Sequence, residues 1–238
     1  QAFGGHYTDP TGKIVQFNSP QTVAAVEWLA ETYDRKGKFG PMLPPGVESW
    51  GDISNNEAFL AGSIGYTHNA FSIYAQSKRD KNPVFPNIVL LPAPMANNGD
   101  RRDGGTTTGW LTIFKGAPNV ALAKKLALEL LDPANFGQMS RVAGGLFNPA
   151  YENLWTPELL AADPNFAILK EQVSVKDPFI GPSWPAKPNA AIDAIRAQGV
   201  VEQMVANVVA GRMKAAESVE DAHGKIVNIF EEGGIAQP

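Results

Sequence analysis

The stretch Asn55-Asn56-Glu57-Ala58-Phe59-Leu60-Ala61-Gly62-Ser63-Ile64-Gly65-Tyr66-Thr67-His68-Asn69 decides how the rest of the chain is read. Its first seven residues place apolar side chains at helical spacing, and Gly62 follows as a helix stop. Residues 63–67 then alternate as a short strand would, and His68-Asn69 supplies turn chemistry at its end. Helix, strand and polar turn in fifteen residues predict a mixed α/β architecture.

Working outward, residues 3–18 read as a hairpin, because Asp9-Pro10-Thr11-Gly12 is a strong turn sequence flanked by alternating residues. Ser19 with Pro20 is a helix start, and Val23, Val26, Leu29 and Tyr33 continue it at 3–4 spacing. A helix is predicted over 70–77, and strands over 87–92 and 107–114. Further helices are predicted over 119–131, 133–142, 157–161 and 164–173. One long helix is predicted over 189–210, ended by Gly211. Ser218 with Asp221 three residues later reads as a capping box for the last helix.

The chain of 238 residues carries 20 basic and 24 acidic residues, so no basic face for nucleic acid is implied. Its apolar runs are too short to span a bilayer. The absence of cysteine excludes disulfides, thiolate metal sites and a cysteine nucleophile. His6, His68 and His223 lie far apart with no second ligand at short spacing, so no histidine-centred metal site and no cofactor are called for. Gly104-Gly105 precedes a strand and lacks a following GK[ST], which argues against a phosphate loop, and no GxSxG elbow occurs. An acid pair for glycoside hydrolysis would be assembled only by the fold. What stands out are loops rich in aromatics and amides: His68-Asn69 with Phe71 and Tyr74, Gly104-Gly105 with Trp110, and Ser183-Trp184 with Asn189. Saccharide sites combine a ring stacked on a sugar face with amides and N–H groups at the rim. Core packing is the better reading of each Trp and Tyr on its own.

Five segments occur in a telling order: residues 5–29, residues 55–69, Leu90-Leu91-Pro92-Ala93-Pro94, Gly104-Gly105 through Ala127, and Val209-Ala210-Gly211 through Ala222. Together they resemble the sugar-type, family 1 extracellular solute-binding proteins of ABC importers, the maltose-binding-protein-like group. The resemblance implies an α/β fold of the class II periplasmic-binding-protein type. It implies that residues 1–91 and 146–238 form a C-terminal lobe and that residues 92–145 make an excursion into an incomplete N-terminal lobe. On that reading the chain is a fragment that binds sugar weakly or not at all by itself and is open to self-association, whereas the full-length protein is a monomer. The resemblance further implies no enzymatic activity and a periplasmic or lipid-anchored location. Its partners would be a carbohydrate ligand and the membrane permease of the importer, with a polyamine-type ligand or a carbohydrate-active enzyme as alternatives. Ligand contacts are carried over to His68, Asn69, Ser72, Tyr74, Gly104, Gly105, Trp110, Gly181 and Trp184. For His68 a strand-end residue bonded to nearby main chain stands beside the ligand reading, and Ser72 occupies a position where a maltodextrin binder has a stacking Trp.

Overall fold

The computed structural model describes residues 2–92, 94–95, 111–174 and 181–238. The chain divides into two compact units, one of Gln1–Glu48, Pro94–Gly104 and Phe179–Pro238, the other of Ser49–Ala93 and Gly105–Pro178.

In the first unit Ser19 starts α1 (Pro20–Tyr33), its Oγ accepting the Thr22 N–H at 3.2 Å, with Pro20 filling the first helical position. The expected hairpin is reduced to one antiparallel bridge, Thr8 to Val15. It closes over the Asp9 turn, where Gly12 takes a φ of 75° that an L side chain avoids. The long helix expected over 189–210 is two helices, α8 (Ala190–Ala197) and α9 (Val200–Val209). Between them Gly199 sits in the left-handed region at φ 62°, which ends one helix and redirects the chain into the next. α10 (Ala215–Glu232) begins earlier than expected. Glu217 Oε2 accepts the Lys214 N–H at 3.1 Å, so the reciprocal half of a cap lies one turn before Ser218. Ser218 itself is buried, and its hydroxyl donates to the Met204 carbonyl at 2.9 Å, tying α10 to α9. Val26 of α1, Ile192 and Ile195 of α8, Met204 of α9, and Val219, Ile226 and Phe230 of α10 meet in one apolar core.

The second unit contains α2 (Ser54–Leu60), α3 (Ser72–Arg79), α4 (Val120–Leu130), α5 (Pro133–Val142), α6 (Pro157–Ala162) and α7 (Phe166–Val173). Helix starts follow their caps: Asn119 for α4, Asp132 for α5 and Thr156 for α6 each accept a backbone N–H from the first turn. Its apolar cluster is small, Trp155, Leu159 and Phe166 with Phe71, Leu160 and Leu169 against them. α4 buries none of its residues, and Val89, Leu91 and Phe114 are exposed.

The α/β expectation is therefore corrected: the described residues form helices and no sheet. Residues 63–67, 88–92 and 111–114 are neither helical nor paired. The physical reason is that alternation and short apolar runs bias a segment locally, whereas a strand exists only when a neighbour completes its hydrogen-bond ladder. Among the described residues no neighbour does so. Residues 107–110 of the expected third strand lie outside the described residues.

Candidate functional site

The expected ligand contacts fall in both units. In the second, the turn at 67–69 is tied back to α2 by two side-chain bonds: Asn55 Nδ2 donates to Thr67 Oγ1 at 3.1 Å, and Asn69 Nδ2 donates to Asn56 Oδ1. His68 and Asn69 are exposed, and Ser72 opens α3 half-buried. The turn is thus held to the α2 amides through its own Thr67 and Asn69 side chains, with His68 and Asn69 at the surface.

Tyr74 lies in the first turn of α3 and is buried. Its ring packs 4.9 Å from that of Phe71 and 5.5 Å from that of Phe85. Its hydroxyl donates to Asp163, 2.9 Å from Oδ2, and accepts from Asn165 Nδ2 at 2.9 Å. Lys78, one turn further along α3, donates to the same Asp163 Oδ2 at 2.5 Å. Asp163 is only 4% exposed. Burial by itself would raise its carboxyl, but the bonds from Lys78, the Asn165 N–H and Tyr74 outweigh this and hold it below the usual carboxylate range. The Lys78 ammonium is correspondingly held above its usual value by the bond to Asp163. Burial, then the bond to Asp163, pushes the Tyr74 hydroxyl up. This polar knot joins α3 to the α6–α7 connection, so the Tyr74 hydroxyl is engaged within the protein.

In the first unit, Gly181 adopts φ 72° with open space where a Cβ would stand. The Trp184 N–H donates to the Gly181 carbonyl at 3.3 Å and the Ala186 N–H to the Ser183 carbonyl at 2.9 Å, so the loop folds on itself. The Trp184–Pro185 peptide is cis. The half-buried Trp184 indole packs against the His6 imidazole, ring centres 5.3 Å apart and planes inclined by 56°. Asn189 Nδ2 donates to the Gly12 carbonyl at 3.4 Å, which docks the end of this loop on the Asp9 turn. Gly104, Gly105 and Trp110 lie outside the described residues.

A recess of about 260 Å³ between α5 and α6 is lined by Gly137, Gln138, Arg141, Thr156 and Glu158 among others. Sequence reasoning named none of these residues. Arg141 and Glu158 are visible as charges near helix ends, but their convergence depends on how two helices pack. No group of His, Asp and Glu able to hold a metal ion occurs among the described residues, and no described helix is long and apolar enough to cross a membrane.

The sequence profile of the bacterial extracellular solute-binding proteins matches residues 1–168. A Deinococcus radiodurans protein named "Probable ABC transporter-binding protein" is 26% identical over 168 residues, 70% of this chain and 37% of that protein. The structure is similar to that of maltose-bound MalE3 from T. maritima, at a TM-score of 0.71 and 21% identity over 94% of this chain and 54% of that one. It is also similar to a candidate oligosaccharide periplasmic-binding protein of Synechococcus sp. MITs9220 in complex with zinc, at a TM-score of 0.63 and 14% identity over 97% of this chain and 56% of that one. The chain thus spans about half the length of these solved structures and just over a third of the Deinococcus protein. At these identities the structural likenesses speak for the fold, and the profile speaks for the lineage. The chain belongs to the bacterial extracellular solute-binding protein family.

Proposed function

We propose that this chain belongs to a receptor outside the cytoplasm that holds a small carbohydrate and delivers it, unaltered, to the membrane permease of an ABC importer. The observation that carries the reading is the family match over residues 1–168. The names of the similar proteins support its two finer parts, one an ABC transporter-binding protein and the others maltose-bound or of oligosaccharide type. Contacts are assigned to His68, Asn69 and Ser72 in one unit, to Gly181 and Trp184 in the other, and to Gly104, Gly105 and Trp110. The exposed amide of Asn69 suits sugar hydroxyls, and the Trp184 indole, braced by His6, suits a sugar face. Tyr74 supports α3 through its bond to Asp163. A ligand shifts such a receptor toward a closed form when that form makes bonds to it that the open form lacks. Such a cycle makes and breaks no covalent bond.

Uptake of labelled maltose, maltotriose, cellobiose and spermidine by cells with and without the gene tests this. Loss of uptake for at least one saccharide, restored by the gene and weakened about tenfold or more with Trp184→Ala, is the expected result; that factor equals about 1.4 kcal/mol of lost stacking. Unchanged uptake of every saccharide, or loss confined to spermidine, would overturn it.

A further inference from the structure

Asp163 grips α3 at two points one turn apart. Tyr74 and Lys78 stand four residues apart and so share one face of the helix. The Tyr74 hydroxyl donates to Asp163 Oδ2 at 2.9 Å, and the Lys78 ammonium donates to the same oxygen. The other oxygen is held by its own chain: the Asn165 N–H donates to Oδ1 at 2.9 Å and Asn165 Nδ2 at 3.1 Å. The Phe166 N–H donates to the Asp163 carbonyl at 3.0 Å, at the start of α7. The carboxylate is therefore fixed by the α6–α7 connection before it meets α3. A single bond would leave the helix free to swing about it, whereas two bonds one turn apart set both its rotation and its height. Apolar packing does not supply that setting. Phe71 and Ala75 pack close to Gly145 and Gly144, and such contact has no preferred direction.

What α3 carries is the polar turn. Ser72 is its first residue, about 3 Å along the axis from Tyr74, and Asn69 stands three residues before it. No side-chain bond caps this end of the helix. The turn is held on one side by the α2 amides, through Thr67 and Asn69, and on the other by α3 itself. Stability alone does not call for a carboxylate at position 163. Asp163 is buried, and well-packed apolar residues commonly hold a fold as firmly as a buried ion pair does. What the ion pair and the hydroxyl bond add is direction. Direction matters where polar atoms must meet a bound molecule to within about 0.5 Å. We infer that Asp163 is a positioning residue for solute binding: through Tyr74 and Lys78 it sets the place from which Asn69 and Ser72 meet the solute. This rests on the assignment of solute contacts to residues 68, 69 and 72 under the proposed function.

The test is the concentration dependence of saccharide uptake by cells carrying the gene, with labelled maltose, maltotriose and cellobiose as probes. Loss of folded receptor lowers the maximal rate, whereas a misplaced contact raises the half-saturating concentration. Asp163→Ala should raise that concentration about tenfold for the saccharide taken up. Tyr74→Phe keeps the ring and removes only the hydroxyl, and it should raise the same quantity about threefold or more. Where Asp163→Ala leaves no folded receptor, Tyr74→Phe alone decides. The double variant Tyr74→Phe/Asp163→Ala should match Asp163→Ala, because the hydroxyl acts through the carboxylate. An unchanged half-saturating concentration in both single variants would overturn the inference and leave the solute reading in place. So would effects that simply add, which would make Tyr74 a contact in its own right. The absence of gene-dependent uptake of all three saccharides would overturn the solute reading, and this inference with it.

Discussion

Two helices with apolar side chains at helical spacing end differently. α10 buries Ala215, Val219, Ala222, Ile226, Ile229 and Phe230 against α1, α8 and α9, whereas α4 buries nothing. The contrast extends to the units that hold them. Around α10, apolar side chains from four helices and the Val15–Phe17 segment form one continuous core. In the other unit the apolar cluster centres on Trp155, Leu159 and Phe166, and a polar knot of Tyr74, Lys78, Asp163 and Asn165 secures α3 beside it. Helical periodicity therefore specifies that a face exists and not that a neighbour will meet it. Where neighbours converge, non-directional burial stabilises the unit; where they are few, directional bonds take over part of that work.

Substitutions can break this comparison. Phe230→Ala should have the largest effect, about 3–5 kcal/mol, because it empties a fully buried site in the larger core. Hydrogen exchange should quicken in α1 and α8–α10 and stay unchanged in α3, α6 and α7; equal quickening in both sets would deny that the two cores are separate. Gly145→Ala should cost about 2–3 kcal/mol, read by urea denaturation. Its φ of 89° strains an L residue, and the new Cβ would stand 2.7 Å from Phe71 Cδ1 and 2.9 Å from Phe166 Cε1. A tolerated alanine would mean that the smaller cluster yields more readily than its packing suggests.

The knot gives the smallest change and the sharpest one. Asp163→Asn should cost about 1–2 kcal/mol at neutral pH. The folded carboxyl lies below its unfolded value of about 3.9, so its contribution is present above that pH and is lost as acid takes the protein through the folded pKa. Thermal midpoints of the wild type should fall below about pH 4, and those of Asp163→Asn should show less of that fall. Parallel curves for the two proteins would remove the knot from the account of the second unit.

Much of this was legible locally. Ser19-Pro20, Asn119, Asp132-Pro133, Thr156-Pro157 and Asn189 mark helix starts through short-range bonds, and the structure begins helices beside each. Gly199 was misread because a glycine inside an apolar helical pattern costs only about 1 kcal/mol, so the sequence does not say whether the helix continues or breaks. The sheet was misread because pairing is non-local. At the candidate site, His68-Asn69 and Gly181 through Trp184 could be picked out as loops of suitable chemistry. The engagement of Tyr74 by Asp163, 89 residues away, could not, nor could the approach of Arg141 and Glu158 at one recess, because both require tertiary packing.

The first unit is sewn together from distant parts of the polypeptide. Gln237 accepts the Val15 N–H through Oε1 at 2.9 Å and donates to the Lys13 carbonyl through Nε2 at 2.9 Å. During synthesis the segment carrying α1 leaves the ribosome long before α8, α9 and α10 exist. Its apolar face must therefore wait while the intervening helices emerge and have the chance to fold among themselves. The core around Val26 is therefore complete only when both distant parts of the chain are present together, so its formation depends on closing a long stretch of intervening polypeptide.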